Sequence, residues 1–404
     1  MKLAQTHAMT LETSRPAQRK FLLAALALWL LPLVVISVMV TLHPQERTVT
    51  GLYHEAAANW RAAESLYQGP QGMNYLPHFA LAFWPFEAMP APWGDLTWRW
   101  LSAGLLAGGF WRLARQLRPD APEQLFFWSS LFGLLLCLDA VRNGQANALF
   151  AALTTHAVVF LMQRRWWLAT PAIFAALMIK PLGLVLLLLA PVVYRPMIWR
   201  TAVGGVIFAA FPFLFGNPHY VWSQHTALVE NLRACSAVTE HRFADINGLF
   251  RTLGLGLSDR ASQLLRVLAG GVTLGLWWLG ARRLTEPLKG VFLLALTTAY
   301  LMLFNPMNEV NSYVILAPVL AVLAAYHLKF EEPKGLGWTL VSMAVTMAVL
   351  PELLRKVYGN SFALWWHPLM TLAFVALLVW RVWRQPQSES ALGHVSRATI
   401  PAVR

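Results

Sequence analysis

Residues 167–194 read WLATPAIFAALMIKPLGLVLLLLAPVVY. The stretch is long for one membrane crossing and short for two full ones. Its only charge, Lys180, stands at the middle and is followed by Pro181. Proline pushes the residue before it out of the helical region. The stretch therefore reads as two short apolar helices that meet near the outer face and return. Arg164 and Arg165 precede it, and Arg195 and Arg200 follow it, so both ends lie on one basic side. Read as a single helix, it inverts every later segment and turns the Arg282-Arg283 pair outward.

Apolar segments continue on either side of this hairpin. Before it come 21–42, 95–113, 125–141 and 148–162. After it come 201–215, 264–279, 291–304, 313–326, 338–350 and 364–380. The expectation is an all-α polytopic membrane protein with about twelve transmembrane helices. Threaded from a cytosolic N-terminus, the inner side collects 20 of the 32 lysines and arginines, among them Arg112, Arg115, Arg118, Arg282, Arg283, Lys329, Lys334, Arg381 and Arg384. The first segment follows Arg15, Arg19 and Lys20 and reads as an uncleaved anchor. Both termini are expected in the cytosol of a bacterium, with the chain in its inner (plasma) membrane. Residues 1–384 form one transmembrane domain, with an N-terminal module 1–215 that includes an outer loop 43–93, and C-terminal helices 216–384. Residues 385–404 are a polar cytosolic tail. In the outer loop, 79–86 is apolar, but Pro85, Pro90 and Pro92 argue against a full span.

Composition agrees. The 404 residues are 57% hydrophobic and 13% charged, where a soluble domain carries about a quarter charged. The 19 tryptophans suit membrane interfaces. A net charge of +13 would suggest nucleic acid in a soluble chain. Here the basic residues sit in short loops, the pattern of topology determinants. Cys137 and Cys235 imply neither a structural disulfide nor a thiolate metal site. His219, His225 and His241 share a loop at spacings that match no metal site, and no cofactor is expected.

Four polar clusters gather on the outer side. Residues 53–67 read as a short helix with Tyr53, Trp60, Glu64 and Tyr67 along one side, suited to lie on the membrane. His54, Glu55 and Tyr75 belong to the same loop. The second cluster, Asp139 to Asn147, joins two apolar helices. Asp139 and Arg142 are spaced for an i,i+3 pair, while Asn143, Gln145 and Asn147 exceed what a turn needs. The third is Lys180 itself, costly between apolar runs unless it meets a partner or a cavity. The fourth is Asn305 to Tyr313, with Asn308, Asn311 and the carboxylate Glu309. The outer loop 217–260 carries many more charges, Glu240, Arg242 and Asp245 among them, most of them expected in solvent. Carboxylates at Glu55, Asp139 and Glu309 suit proton removal from an attacking hydroxyl. Cations at Arg142 and Lys180 suit a departing phosphate. Nucleotide sugars are not supplied outside the membrane, so such a phosphate is expected on a lipid.

The order of these clusters resembles glycosyltransferase family 87 of the GT-C superfamily. The resemblance rests on Tyr53-His54-Glu55-Ala56-Ala57 leading to Ser65-Leu66-Tyr67, then Tyr75-Leu76-Pro77, Asn143-Gly144-Gln145-Ala146-Asn147, Ile179-Lys180-Pro181, Asn247-Gly248-Leu249 and Asn305-Pro306. It covers roughly 48–319. It implies a GT-C fold with short juxtamembrane helices in the first periplasmic loop, and a polyprenyl-phosphate-sugar donor, with mannose the sugar many members use. Val49 stands where the family usually has an aspartate, and Asn308, Glu309 and Asn311 where it often has histidine. The implied function is transfer of a sugar to a glycan or glycolipid acceptor at the periplasmic face. Glu55 is the first candidate base, then Glu309, then Asp139. Lys180 and Arg142 would hold the carrier phosphate. Tyr53, His54, Trp60, Tyr75, Asn143, Gln145, Asn147, Asn308 and Asn311 would bind substrate. A single base implies inversion. Two rival readings stand beside this one: a lipid or solute transporter without chemistry, and a non-catalytic subunit of an envelope glycan assembly complex.

Overall fold

Proline and glycine punctuate the helices. A computed structural model describes residues 2–69, 72–236, 243–359 and 361–384, and every regular element in them is helical. The tail 385–404, and with it Glu240, His241 and Arg242, lies outside the described residues. The chain runs through α1 (Lys2–Leu42), α2 (Thr50–Ala62), α3 (Pro77–Glu87), α4 (Trp93–Leu117), α5 (Pro122–Arg142) and α6 (Ala146–Met162). Then come α7 (Trp166–Ile179), α8 (Gly183–Val193), α9 (Met197–Ala210), α10 (Pro218–Ser236), α11 (Ile246–Thr252) and α12 (Asp259–Ala281). Last are α13 (Leu288–Phe304), α14 (Ala317–Phe330), α15 (Gly335–Tyr358) and α16 (Ser361–Arg384), with 3-10 turns at Phe211–Leu214 and Val310–Ile315.

The stretch that decides the topology is two helices. Lys180 is extended, φ −148 and ψ 140, as the proline after it requires. A Cβ on Gly183 would lie 2.6 Å from Leu177 Cα, so α8 folds back hard against the last turn of α7.

Six helical segments are long and apolar enough to cross a membrane: Pro16–Leu42, Pro122–Arg142, Met197–Leu214, Asp259–Ala281, Gly335–Tyr358 and Ser361–Arg384. Five more apolar helices, α6, α7, α8, α13 and α14, are shorter. The chain is thus an all-α membrane protein, but length and composition alone single out six crossings rather than twelve. The short helices are the enclosed ones: α6, α13 and α14 are buried along nearly their whole length. Long helices surround them and keep apolar faces outward, with Val206 and Ile207 of α9 and Val267 and Val272 of α12 exposed. An outward apolar face is stable only against hydrocarbon.

The basic loops meet at one end of the bundle. Gln18 Nε2 donates to Asp120 O at 3.2 Å. Arg118 lies over the Phe330 ring, and Arg381 pairs with Glu331 at 2.6 Å. Arg283 lies over Trp383, and Tyr194 Oη donates to Glu286 at 2.7 Å. The polar turns meet at the other end, where Val49 N–H donates to Asn143 O and Ala244 N–H to Asn308 O.

Two local expectations change. The helix expected over 53–67 stops at Ala62, because Ala63 adopts a left-handed φ of 55. Glu64 and Tyr67 leave the helix, and Tyr53 and Trp60 point into the protein, 3% and 4% exposed, rather than along a membrane surface. The outer segment after α9 also contains a long helix, α10, whose Gln224 and Asn231 face inward. Asp245 is buried there as the N-cap of α11, accepting from Gly248 N–H, and is not solvated.

Candidate functional site

The floor of the site is the α5–α6 corner. Gly144 turns it with φ +66, a region that a side chain rarely adopts. A Cβ there would also lie 2.6 Å from Thr50 Cγ2 and 3.0 Å from the Arg99 guanidinium. Glycine therefore lets α2 and α4 close onto the corner. Arg99, 1% exposed, ties them together. Its Nε donates to Arg142 O at 3.1 Å, Nη1 to Asp95 O at 3.1 Å and Nη2 to Thr48 Oγ1 at 2.9 Å. Trp98 Nε1 donates to Gly144 O at 2.8 Å. With so many partners satisfied, loss of this buried cation should cost several kcal/mol, on the order of 3–5.

Above this floor opens a cleft of about 540 Å³. The linker after α1 supplies Arg47, Thr48 and Val49. The corner supplies Asp139, Asn143 and Gln145, and the turn after α13 supplies Glu309 and Asn311. The outer end of α15 closes the cleft with Glu352 and Arg355. Gln145 Nε2 donates to Glu309 Oε2 at 3.1 Å, joining corner and turn. Asn147 Nδ2 donates to Gln145 Oε1 at 2.8 Å and to Ser312 Oγ at 3.2 Å. Three shielded acceptors here lack a donor: the Oδ1 atoms of Asn143, Asn147 and Asn311. A buried acceptor without a donor is costly unless a ligand or water supplies one.

A second polar group lies beside Glu309. Ala146 N–H donates to Tyr53 Oη at 3.1 Å, and the Tyr53 and Tyr75 oxygens are 3.3 Å apart. Two phenolic protons serve the single bond between these rings, so one proton is left over. Either oxygen can be the donor across that contact, so the spare proton belongs to the pair rather than to one named phenol. Burial above all pushes Tyr53 up to about 12, the Glu309 charge adding to it. Tyr75 is pushed well above its ordinary value, again chiefly by burial. Both phenols therefore stay protonated donors. Lys180 Nζ lies 5.2 Å from the centre of the Tyr75 ring. The carboxylate whose charge acts on it is Glu309. Glu309 thus lines the open, water-facing cleft, and its charge reaches Lys180, Tyr75 and Tyr53.

The remaining expected residues fall elsewhere. Glu55 is exposed, accepts from Gln68 Nε2 at 2.6 Å and is not part of the cleft wall. His54 Nε2 lies 3.3 Å from Asp95 Oδ1, pinning α2 to α4. Trp60 packs on Tyr220, with its indole N–H unpartnered. Asn308 is fully buried, and its amide nitrogen donates to Leu301 O and Met302 O, the last carbonyls of α13. Its oxygen accepts from Asn305, which leaves Asn308 a helix cap. Asp139 and Arg142 form no ion pair, since Asp139 turns into the cleft and Arg142 does not. Sequence reasoning missed Arg47, Thr48, Arg99, Glu352 and Arg355. No local signal marks them, as each flanks or interrupts an apolar segment like many other polar residues of the chain. Val49, at the place of the aspartate usual in the resembling family, lies in the cleft wall.

Compared with known families, residues 74–306 match the model of glycosyltransferase family 87. The matched stretch includes Lys180 and the whole α5–α6 corner and stops just short of Glu309. No curated protein and no solved structure matches the chain.

Proposed function

This chain belongs to glycosyltransferase family 87, and from that premise we propose that it moves one sugar from a polyprenyl-phosphate carrier to an acceptor at the periplasmic face of a bacterial inner membrane. Glu309 is the general base, Lys180 holds the carrier phosphate, and both termini are cytosolic. The observation that carries this reading is that Glu309 lines the water-facing cleft while its charge reaches Lys180. A lipid-borne phosphate would enter from the bilayer at Lys180, and a hydroxyl would enter from water at the cleft.

The steps follow from these positions. Glu309 takes the proton of the acceptor hydroxyl. The hydroxyl oxygen bonds to the anomeric carbon of the sugar, and the bond from that carbon to the phosphate oxygen breaks. The phosphate keeps the electron pair, and its charge meets the Lys180 ammonium and the spare phenolic proton of the Tyr53–Tyr75 pair. One displacement with one base inverts the anomeric centre. Asp139 and the amides of Asn143, Gln145, Asn147 and Asn311 orient the reacting sugars. Arg142, which has no ion pair among the described residues, is a second candidate for the carrier phosphate. Mannose is the first sugar to try, on the family resemblance.

The test compares two carboxylates. Purified chain in nanodiscs receives radiolabelled polyprenyl-phosphate sugars and a membrane extract as acceptor source. Glu309→Gln, which can still accept from Gln145, is expected to lose at least about 100-fold in rate. Glu55→Gln is expected to stay near the parent. Full activity in Glu309→Gln sinks the assignment, and label crossing vesicles without product would point to transport.

A further inference from the structure

We infer that Arg47, Glu352 and Arg355 form the acceptor subsite, and that it takes the uncharged, water-borne end of a glycan more than one sugar long. This rests on the function proposed above and deepens it. None of the three residues lies within the stretch matched to the family, 74–306.

The chemistry of the wall carries the inference. Val49 is the one apolar residue lining the cleft. By contrast, a separate groove between α1 and α4 is walled by Leu26, Trp29, Leu33, Trp100 and Trp111, and suits hydrocarbon. The cleft suits neither an acyl nor an isoprenoid chain. Most of its side chains instead end in flat groups with paired donors or acceptors: carboxylates, amides and guanidinium forks. Such groups match neighbouring hydroxyls on a sugar ring.

Charge argues in the same direction. The wall carries both signs, with Arg47 and Arg355 facing Asp139, Glu309 and Glu352. A phosphorylated or carboxylated ligand would meet three like charges, and a cationic one would meet two. A neutral polyol gives hydrogen to the acids and accepts it from the arginines. Arg47 has no ion pair among the described residues, and its left-handed φ of 48 is an uncommon backbone state for arginine. Among the described residues Arg355 pairs with Glu352 alone, at 3.5 Å, with both side chains more than half exposed. Such a pair contributes ~0–1 kcal/mol, so both groups remain available to a ligand. The volume of about 540 Å³ falls within the ~300–1,000 Å³ of small-ligand sites and exceeds what one sugar ring needs.

The test reads binding rather than transfer. The full chain in nanodiscs is titrated with neutral gluco-, manno- and galacto-oligosaccharides and with phosphorylated counterparts, using saturation-transfer NMR. At least one neutral oligosaccharide is expected to bind. Arg47→Ala and Arg355→Ala should each weaken it about tenfold, the loss of one charge-assisted contact. Both arginines are exposed, and an unchanged gel-filtration profile confirms the fold of each variant. Binding by none of the neutral sugars, binding by the phosphorylated ones alone, or binding unaffected in both variants overturns the inference. The two readings fail separately. A Glu309→Gln enzyme that stays active while oligosaccharide still binds sinks the base assignment and leaves the subsite standing. A dead Glu309→Gln enzyme with no oligosaccharide binding does the reverse.

Discussion

Replacing Lys180 by methionine should move stability and donor affinity in opposite directions. The side chain of Lys180 makes no hydrogen bond and no ion pair among the described residues, and it is only part-exposed. Apolar α7 and α8 flank it. Insertion scales put a lysine at the bilayer centre at ~2.5–3.5 kcal/mol, and a hairpin open to a compartment lowers that figure. Methionine keeps the chain length and removes the charge. Part of the gain is offset by the lost attraction to Glu309. A net stabilisation of about 1 kcal/mol is expected, a rise of about one degree in thermal midpoint. Donor binding should go the other way. One charge-assisted contact to a phosphate contributes about 2–3 kcal/mol, or about 30- to 150-fold in affinity. The assay is equilibrium binding of a labelled polyprenyl-phosphate sugar to nanodisc-held protein, beside a thermal melt of the same sample. Lys180→Arg should keep most of the affinity. A methionine variant that melts earlier and binds donor as before would refute the reasoning and make Lys180 a structural residue.

Four further outcomes follow from the same geometry. Tyr75→Phe should lower kcat about tenfold with little change in donor KM or melting, because it leaves the pair one phenolic proton instead of two for the departing phosphate. Val49→Asp should restore part of the activity lost in Glu309→Gln, since position 49 lines the same cleft; no rescue in labelled transfer separates the two positions. Burial holds Asp245 up at about 6. The fold thus favours its neutral form, so that contribution is full below about pH 4 and lost as pH rises through 6, an effect of about 2–3 kcal/mol. Asp245→Asn should flatten the melting-point curve between pH 4 and 7. Finally, Glu352→Cys should react with an impermeant maleimide in intact cells, and Lys334→Cys only after permeabilisation; the opposite pattern inverts the proposed threading.

The expected sites were legible to different degrees. The break at Lys180-Pro181 follows from a local steric rule, and the structure has it where that rule puts it. The polar surplus of the α5–α6 corner was likewise visible, because turns need few polar groups and this one has many. The choice among carboxylates was not. Glu55 shares a motif with the position of the missing aspartate, yet α2 turns it outward toward Gln68. Glu309 is far from Val49 along the chain and shares a wall with it. Asn308 reads like its neighbours Glu309 and Asn311, but the end of α13 occupies both its donors and its acceptor.

The amino-acid order by itself determined the solvent and the element type. Continuous apolar runs cannot be hidden in water, and backbone in lipid must bond within its own helix. It determined the end where basic loops gather, because charge is costly to carry across. Tertiary structure alone decided which polar residues share a cleft. A helix presents a new side chain about every 100°, so which groups face inward depends on how the neighbouring helices pack. Arg99 reaching Thr48, α15 closing over the corner, and Glu309 lining the cleft within reach of the Lys180 charge are all consequences of that packing.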